Sequence, residues 1–590
     1  MALRILLLAL VVAVVGCGGS GGGGDPRSQS MTPGIASSAS ETPPPQEPPP
    51  ADDASGTAAA ADKTTTAPDD VPRSSEQASR LLAQASLGAG PDDIERLRRM
   101  GYSTWLDRQM RLRPTYHTPR AERLLRQLER AGREEEFALT NRYIWWDVSM
   151  RARDQLRQRV AYALSQIFVV SDTVEELFVD PIALSSYYDV LVRHAFGNFE
   201  ELLLDVTLHP VMGEYLDHLN NPRARPEENT FPDENYAREV MQLFTIGLYE
   251  LNPDGSRKLD AEGRPIPTYS NVDIREFAKV FTGLSFADSA DEPGFFFNDY
   301  EPVYDAPMQM FEEWHEPGEK RLLNGTVLPP GQPGLTDIRM AVNNLYTHPN
   351  VGPFIARRLI QRLVTSNPTP EYIARVSAVF ADNGTGERGD LGAVVRAILT
   401  DAEAIDPARV DDPAHGRLQE PVLRYLRVIK ALEASSDSRR FYAEGFYIQD
   451  TLRQHPLSSP SVFNFFTPDY QPNGPVSDAG LVAPEFQLVN SATTIDMVNF
   501  MLAVIVEGFV MDLPERYDPV YLSFESAAPL MDDLDALLDH FDIVLTAGEL
   551  RADTRALIRS ALAPIDDDPE FRMRLAAYLV AISPDAAVAH

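Results

Sequence analysis

From residue 74 onward, apolar residues recur along most of the chain at spacings of three and four, the period of an amphipathic helix. The pattern predicts helices over 75–87, 91–110, 119–132, 136–170 and 181–206. Further helical patterns cover 271–282, most of 335–402, 416–435, 440–454 and the remainder to about 582. Ile94, Leu97, Met100, Trp105, Leu106 and Met110 mark the buried stripe of the second run. Ser270 or Asn271 is placed to cap the helix over 271–282. Trp145 and Trp146 read as core or core-edge residues. Three stretches break the rhythm. Residues 249–270 carry the turn signals NPDG at 252–255 and AEGR at 261–264, which predict an inserted β-hairpin or ribbon. Residues 284–334 and 455–485 have no period and predict long irregular loops, a length usual for loops that are functional or packed over a site. Helices joined by short breaks imply helix packed on helix. The fold class is therefore mainly α: a multi-helix globular domain over 74–505 with a small inserted β-hairpin and long irregular loops. A helical extension over 506–590 is expected to pack on it.

One helical stretch differs from the rest. In DENYAREVMQLFTIGL, at 233–248, Asn235, Glu239 and Gln242 fall at i, i+4 and i+7 and share a face. Tyr236, Val240, Leu243, Phe244 and Gly247 form the apolar stripe beside it. Glu234 and Arg238 sit at i, i+4 and can pair. Polar and apolar positions interlocked in this way suggest a buried polar site.

The N-terminal region has another character. Residues 1–16, MALRILLLALVVAVVG, join one Arg to an apolar run too short for a comfortable membrane span, and Cys17 follows. This resembles a bacterial lipoprotein signal, which would make Cys17 the lipidated N-terminus; Gly18 after it favours the outer membrane of a Gram-negative cell. An ordinary signal peptide with an incidental cysteine is the alternative. Residues 18–73 are Gly-, Ser- and Pro-rich with almost no large apolar groups, and are expected to form a disordered tether.

Composition narrows the chemistry. A chain of 590 residues with 44% hydrophobic and 24% charged residues has ample capacity for a core. Its net charge of −34 argues against nucleic acid as a partner. One cysteine allows no intrachain disulfide and no thiolate cluster. With histidine scarce, a metal site would lean on carboxylates and suit Ca or Mg. Asn252, Asp254, Asp260 and Glu262 loosely suggest a calcium loop but lack EF-hand alternation. Gly384, Gly386 and Gly389 match GxGxxG by letter, yet they follow a helical run rather than a strand, so a dinucleotide site is rejected. No GxSxG, P-loop or HExxH occurs.

The run LHPVMGEYLD at 208–217, then Asn221 and ENYARE at 234–239, resembles the bacterial family called domain of unknown function 1800. FTIG at 244–247, DIRE at 273–276, FTG at 281–283, His315 with Lys320, NLYTHP at 344–349, FIARRL at 354–359 and SPSV at 459–462 extend the resemblance over roughly 75–505. The departures are a longer 249–270 connection and Phe463-Asn-Phe465 where many members read Gly-Trp. The resemblance implies a mostly helical exported bacterial protein, often encoded beside an exported sulfatase-like family that would be its partner.

The remaining candidate constellation is His209, Asp217, Asn221, Glu234, Asn235, Arg238 and Glu239, with Asp273, Glu276 and His315. Asp217 and Glu239 could be paired carboxylates for acid–base work or ligands for a hard cation. Arg238 could clamp an anionic group. The alternative is a polar network that locks helices together, with His209 capping a turn. Two functions are therefore expected. One is a lipid-anchored binding or assembly factor of the cell envelope. The other is an envelope hydrolase of polysaccharide or a related polymer that uses Asp217 and Glu239.

Overall fold

Helices begin where the sequence supplies a side-chain acceptor for their free N-terminal amides. Ser74 caps Ser75–Ala85, Thr369 caps Pro370–Ala381 and Asp390 caps Leu391–Thr400. Ser270 caps Asn271–Val280, with Asp273 closing the reciprocal capping box. The structure, a computed structural model, describes residues 74–287, 302–511, 518–565 and 567–590. The Cys17 signal, the 18–73 tether and the 288–301 part of the long loop lie outside the described residues. Among the described residues there are 25 α-helices and four two-stranded ribbons of two residues per strand, so the chain is mainly α.

Several long helical patterns are interrupted. The 91–110 run divides at Gly101, whose φ of +85° is a conformation glycine adopts without penalty, into Pro91–Met100 and Tyr102–Arg111. The 136–170 run becomes Thr140–Arg151 and Gln155–Ser165. At that break Asp154 accepts hydrogen bonds from the Thr115 amide at 2.9 Å and from Gln158 at 3.2 Å. The 181–206 run becomes Ala183–His194 and Phe199–Thr207, with Asn198 capping the second. The apolar spacing continues across these breaks because the halves pack into the same main core, to which Thr140–Arg151 contributes Trp145 and Trp146 while its Tyr143, Ile144 and Val148 join a smaller cluster with Ala121, Leu124 and Leu128.

That core runs through the described body from Ala78 to Ala581. Trp145 and Trp146 lie within it edge to face, 5.1 Å apart, and Trp146 donates its indole N–H to His455 at 3.1 Å. Burial of such large apolar side chains contributes about 1.5–3 kcal/mol each. The 249–270 insertion is a ribbon held by bridges at Tyr249–Pro267, Leu251–Arg257 and Leu259–Pro265. Its acidic residues serve the turns: Asp254 accepts from the Ser256 amide, and Asp260 from the Glu262 and Arg264 amides. The GxGxxG letters fall in the turn between Pro370–Ala381 and Leu391–Thr400, with no strand before them. At the far end, Val588–Ala589 pairs antiparallel with Arg417–Leu418, and Gln84 in the first described helix donates to the His590 carbonyl at 3.3 Å.

Candidate functional site

The signature helix is short, Asn235–Gln242, and begins where Asp233 accepts the Asn235 amide at 2.7 Å. Its apolar side is anchored by Tyr236. That ring stacks on His218 at 3.9 Å, meets Phe281 edge to face at 4.8 Å, and shares a 2.7 Å hydrogen bond with the Thr207 hydroxyl. His218 points Nε2 at the Thr207 carbonyl, 2.9 Å away, and burial lowers its pKa to about 4, so it is neutral.

The polar side separates into distinct ties. Asn235 donates to Asp217 at 2.8 Å. Asp217 is exposed and sits in the left-handed region, φ +62°, where the chain reverses after the Pro210–Tyr215 turn. Glu234 pairs with Arg238 at 3.2 Å on a half-exposed face, the i, i+4 contact expected of a helix. Gln242 faces the Tyr269 hydroxyl at 3.4 Å. Asn221 is buried and grips Asp233, accepting its amide at 2.9 Å. Because the Asn221 carbonyl also accepts the Gly283 amide at 2.9 Å, this one residue fastens 222–232 into a closed loop against the FTG element.

Glu239 is the exception. It is only 6% exposed, and its Oε2 is enclosed with no hydrogen-bond partner. Burial raises its carboxyl pKa from 4.5 to about 7, against a smaller opposing pull from Arg238. It therefore holds its proton across a range where an ordinary glutamate is ionised. Burial, with a contribution from the Glu239 charge, raises the hydroxyls of Tyr215 and Tyr269 to about 12. The Ser459 hydroxyl of the SPSV element opposes that rise at Tyr215. Asp217 makes its hydrogen bond to Asn235, and the charged neighbour of Glu239 is Arg238. Among the described residues, no group of three or more His, Cys, Asp or Glu side chains is placed to hold a metal ion, at Asp217 and Glu239 or elsewhere.

The outer candidates take part in holding the fold. His209 caps the Pro210–Tyr215 helix, accepting the Val211 amide at 3.3 Å, and burial lowers its pKa to about 3. Asp273 completes the Ser270 capping box. Glu276 pairs with Lys279 at 2.5 Å and accepts the Arg321 amide at 2.9 Å. His315 is buried between the Thr282 carbonyl, 2.9 Å from Nδ1, and Asp337, 3.1 Å from Nε2. Lys320 meets the same Asp337 oxygen at 2.6 Å. Asp337 is fully buried; burial pushes its carboxyl up, but the hydrogen bonds from His315 and Lys320 outweigh that and hold it low. Gly283 is required here: at φ +86°, a side-chain carbon on it would lie 2.9 Å from both the His315 backbone nitrogen and the Phe311 carbonyl oxygen.

Sequence reasoning did not nominate Asp337. It also missed a second buried polar cluster. Glu420 is fully buried and accepts from Tyr162 at 2.9 Å and Gln454 at 2.7 Å, while its other oxygen has no partner. Around it lie Arg159, whose pKa burial lowers to about 9, and Glu485, whose pKa burial raises to about 7. These residues come from helices and a loop far apart in sequence, and no local spacing marks them.

Neither a curated protein nor a solved structure matches this chain. A family model described as "Protein of unknown function (DUF1800)" matches residues 80–588, extending beyond residue 505, where the motif resemblance ended. The signature helix, the FTG hub and the His315–Asp337–Lys320 cluster all lie within that match, and the chain belongs to the DUF1800 family.

Proposed function

We propose that this chain is an exported binding or assembly factor of the bacterial cell envelope, held there through a lipidated Cys17 and the 18–73 tether. Its partner is a second exported protein of sulfatase-like type. One observation carries the reading: Asn221 closes the 222–232 loop at its base, and the loop displays Phe231 at 61% exposure. A large apolar side chain on a loop anchored at its base is a feature suited to contact with another macromolecule. The other nominated polar residues, Glu239 apart, are engaged in caps and ties. Cross-linking in intact cells should capture an envelope partner with the wild-type chain and lose it with Phe231→Ser. Equal capture by both, or none by either, rejects the reading. Mass spectrometry of the mature N-terminus tests the anchor, which an unmodified Cys17 would eliminate.

A second reading, hydrolysis of an envelope polysaccharide with Asp217 and Glu239, is favoured by the proton that Glu239 retains near neutrality. A carboxyl with a pKa near 7 is suited to act as a general acid. Release of reducing ends from envelope polysaccharide is the assay. Turnover unchanged in Glu239→Gln would rule out that role.

A further inference from the structure

The chain carries a net charge of −34, yet one place on it is lined mainly by positive side chains. Two cavities, of about 640 and 540 Å³, lie side by side and share Leu112 and the 151–153 segment as a common wall. Both are of a size that encloses a small molecule. Together they are lined by eight arginines and Lys430, against only Asp93, Asp147 and Glu433. Arg108, Arg113, Arg123 and Arg153 are exposed, and among the described residues their side chains have no hydrogen-bond or ion-pair partner. Arg151 and Arg440 both approach Asp147, at 2.9 and 3.5 Å, so one carboxylate is shared between two guanidinium groups. The larger cavity adds an apolar wall of Met100, Trp105, Leu112, Met150 and Phe441. The smaller is lined mostly by arginine.

We propose that the two cavities form one binding site for a compact anionic amphiphile. Its phosphate or carboxylate groups would be held by the arginines of the smaller cavity and the shared wall, and its apolar body would lie along Trp105 and its neighbours. Guanidinium groups bind phosphate and carboxylate through paired N–H donors, and unpaired ones lose no protein contact in doing so. The charge distribution selects for compactness. A long polyanion would run out of the cavities onto a chain whose net charge is −34, whereas a ligand confined to them meets a lining in which cationic side chains outnumber carboxylates nine to three. None of the signature-helix residues takes part, so this site stands or falls independently of the proposed function.

The test is calorimetric titration of the full-length chain with dodecyl phosphate below its critical micelle concentration. Laurate, inorganic pyrophosphate and dodecyl maltoside serve as the comparison probes. Saturable 1:1 binding of dodecyl phosphate is expected. It should weaken at least tenfold in Arg113→Gln/Arg153→Gln, and several-fold between 50 and 500 mM NaCl. Both arginines are exposed and unpaired, so the double variant should keep the wild-type melting temperature. Arg108→Gln/Arg123→Gln is an independent second pair, expected to weaken binding likewise. Laurate binding as tightly as dodecyl phosphate supports the site and assigns it to carboxylates; weaker laurate binding supports it and assigns it to phosphates. The proposal is overturned if no anionic amphiphile saturates, if both double variants bind like wild type, if dodecyl maltoside binds equally well, or if pyrophosphate alone binds as tightly.

Discussion

Replacing Glu239 with glutamine tests whether the buried carboxyl is protonated in the folded state. Glutamine keeps the shape of the protonated acid and cannot ionise. The folded-state pKa is raised, from 4.5 to about 7, so between those values the folded chain holds a proton that the unfolded chain has released. Unfolding then releases a proton, and stability falls as pH rises through that window before levelling off above about 7. The gap corresponds to about 3 kcal/mol at pH 8 and to nearly nothing at pH 4.5. For a body of roughly 500 residues, an unfolding entropy near 1 kcal/mol per kelvin turns that into about 3 °C. Melting curves of wild type and Glu239→Gln at pH 4.5, 6 and 8 should therefore diverge, the variant gaining stability relative to wild type as pH rises. A constant packing difference would move all three comparisons equally. The reasoning is refuted if the difference between the proteins is the same at pH 4.5 and 8, or if it shrinks as pH rises.

Other outcomes follow from the same geometry. Asp337→Ala strands a buried Lys320 and should cost about 3–5 kcal/mol in urea unfolding, whereas an exposed pair such as Arg96–Asp93 should cost under about 1 kcal/mol when broken. Gly283→Ala should cost more than Gly331→Ala, by about 1–3 kcal/mol: both have positive φ, but only Gly283 has backbone within 3 Å of the added carbon. Lys430 donates to Gln155 at 2.9 Å, and burial lowers its pKa to about 7. Its acylation by an amine-reactive reagent, followed by peptide mass spectrometry, should reach half-maximal rate near pH 7, about three units below an exposed lysine. Asn221→Ala should expose 222–232 to proteolysis, read as faster cleavage there while the rest of the body stays intact.

Much of the helical architecture could be read from apolar spacing, because most helices present an apolar stripe to the main core or, as Thr118–Arg130 does, to a smaller second cluster. The breaks were harder to see. Gly101 and Asp154 interrupt helices whose apolar period continues on the other side, so the pattern alone does not register the turn. The polar face of the signature helix was visible, but its fate was not. Asn235, Glu239 and Gln242 share a face by spacing, yet one meets Asp217, one is enclosed and one reaches Tyr269. Which of the three is desolvated depends on neighbours brought in from 215, 217 and 269. Asp337 was missed for a related reason: as an acidic residue in the first turn of Gly334–Tyr346, it looks like any helix-favouring carboxylate until the fold brings His315 and Lys320 to it. The arginine-lined cavities draw on several segments between residues 82 and 441, some helical and some in the connections between helices, and none of them marks the site by itself.

The pairing of Val588–Ala589 with Arg417–Leu418, and of Gln84 with His590, bears on how the body closes. Gln84 and His590 are 506 positions apart, so the first described helix gains its last neighbours only after nearly all the intervening chain has been made. Contacts of such long separation form late, because the loop they close carries a large entropy cost. A chain delivered N-terminus first, from a ribosome or through a membrane pore, thus emerges with that helix uncovered on one side. The Gln84 bond and the ribbon with Arg417–Leu418 are then among the last contacts the body can make.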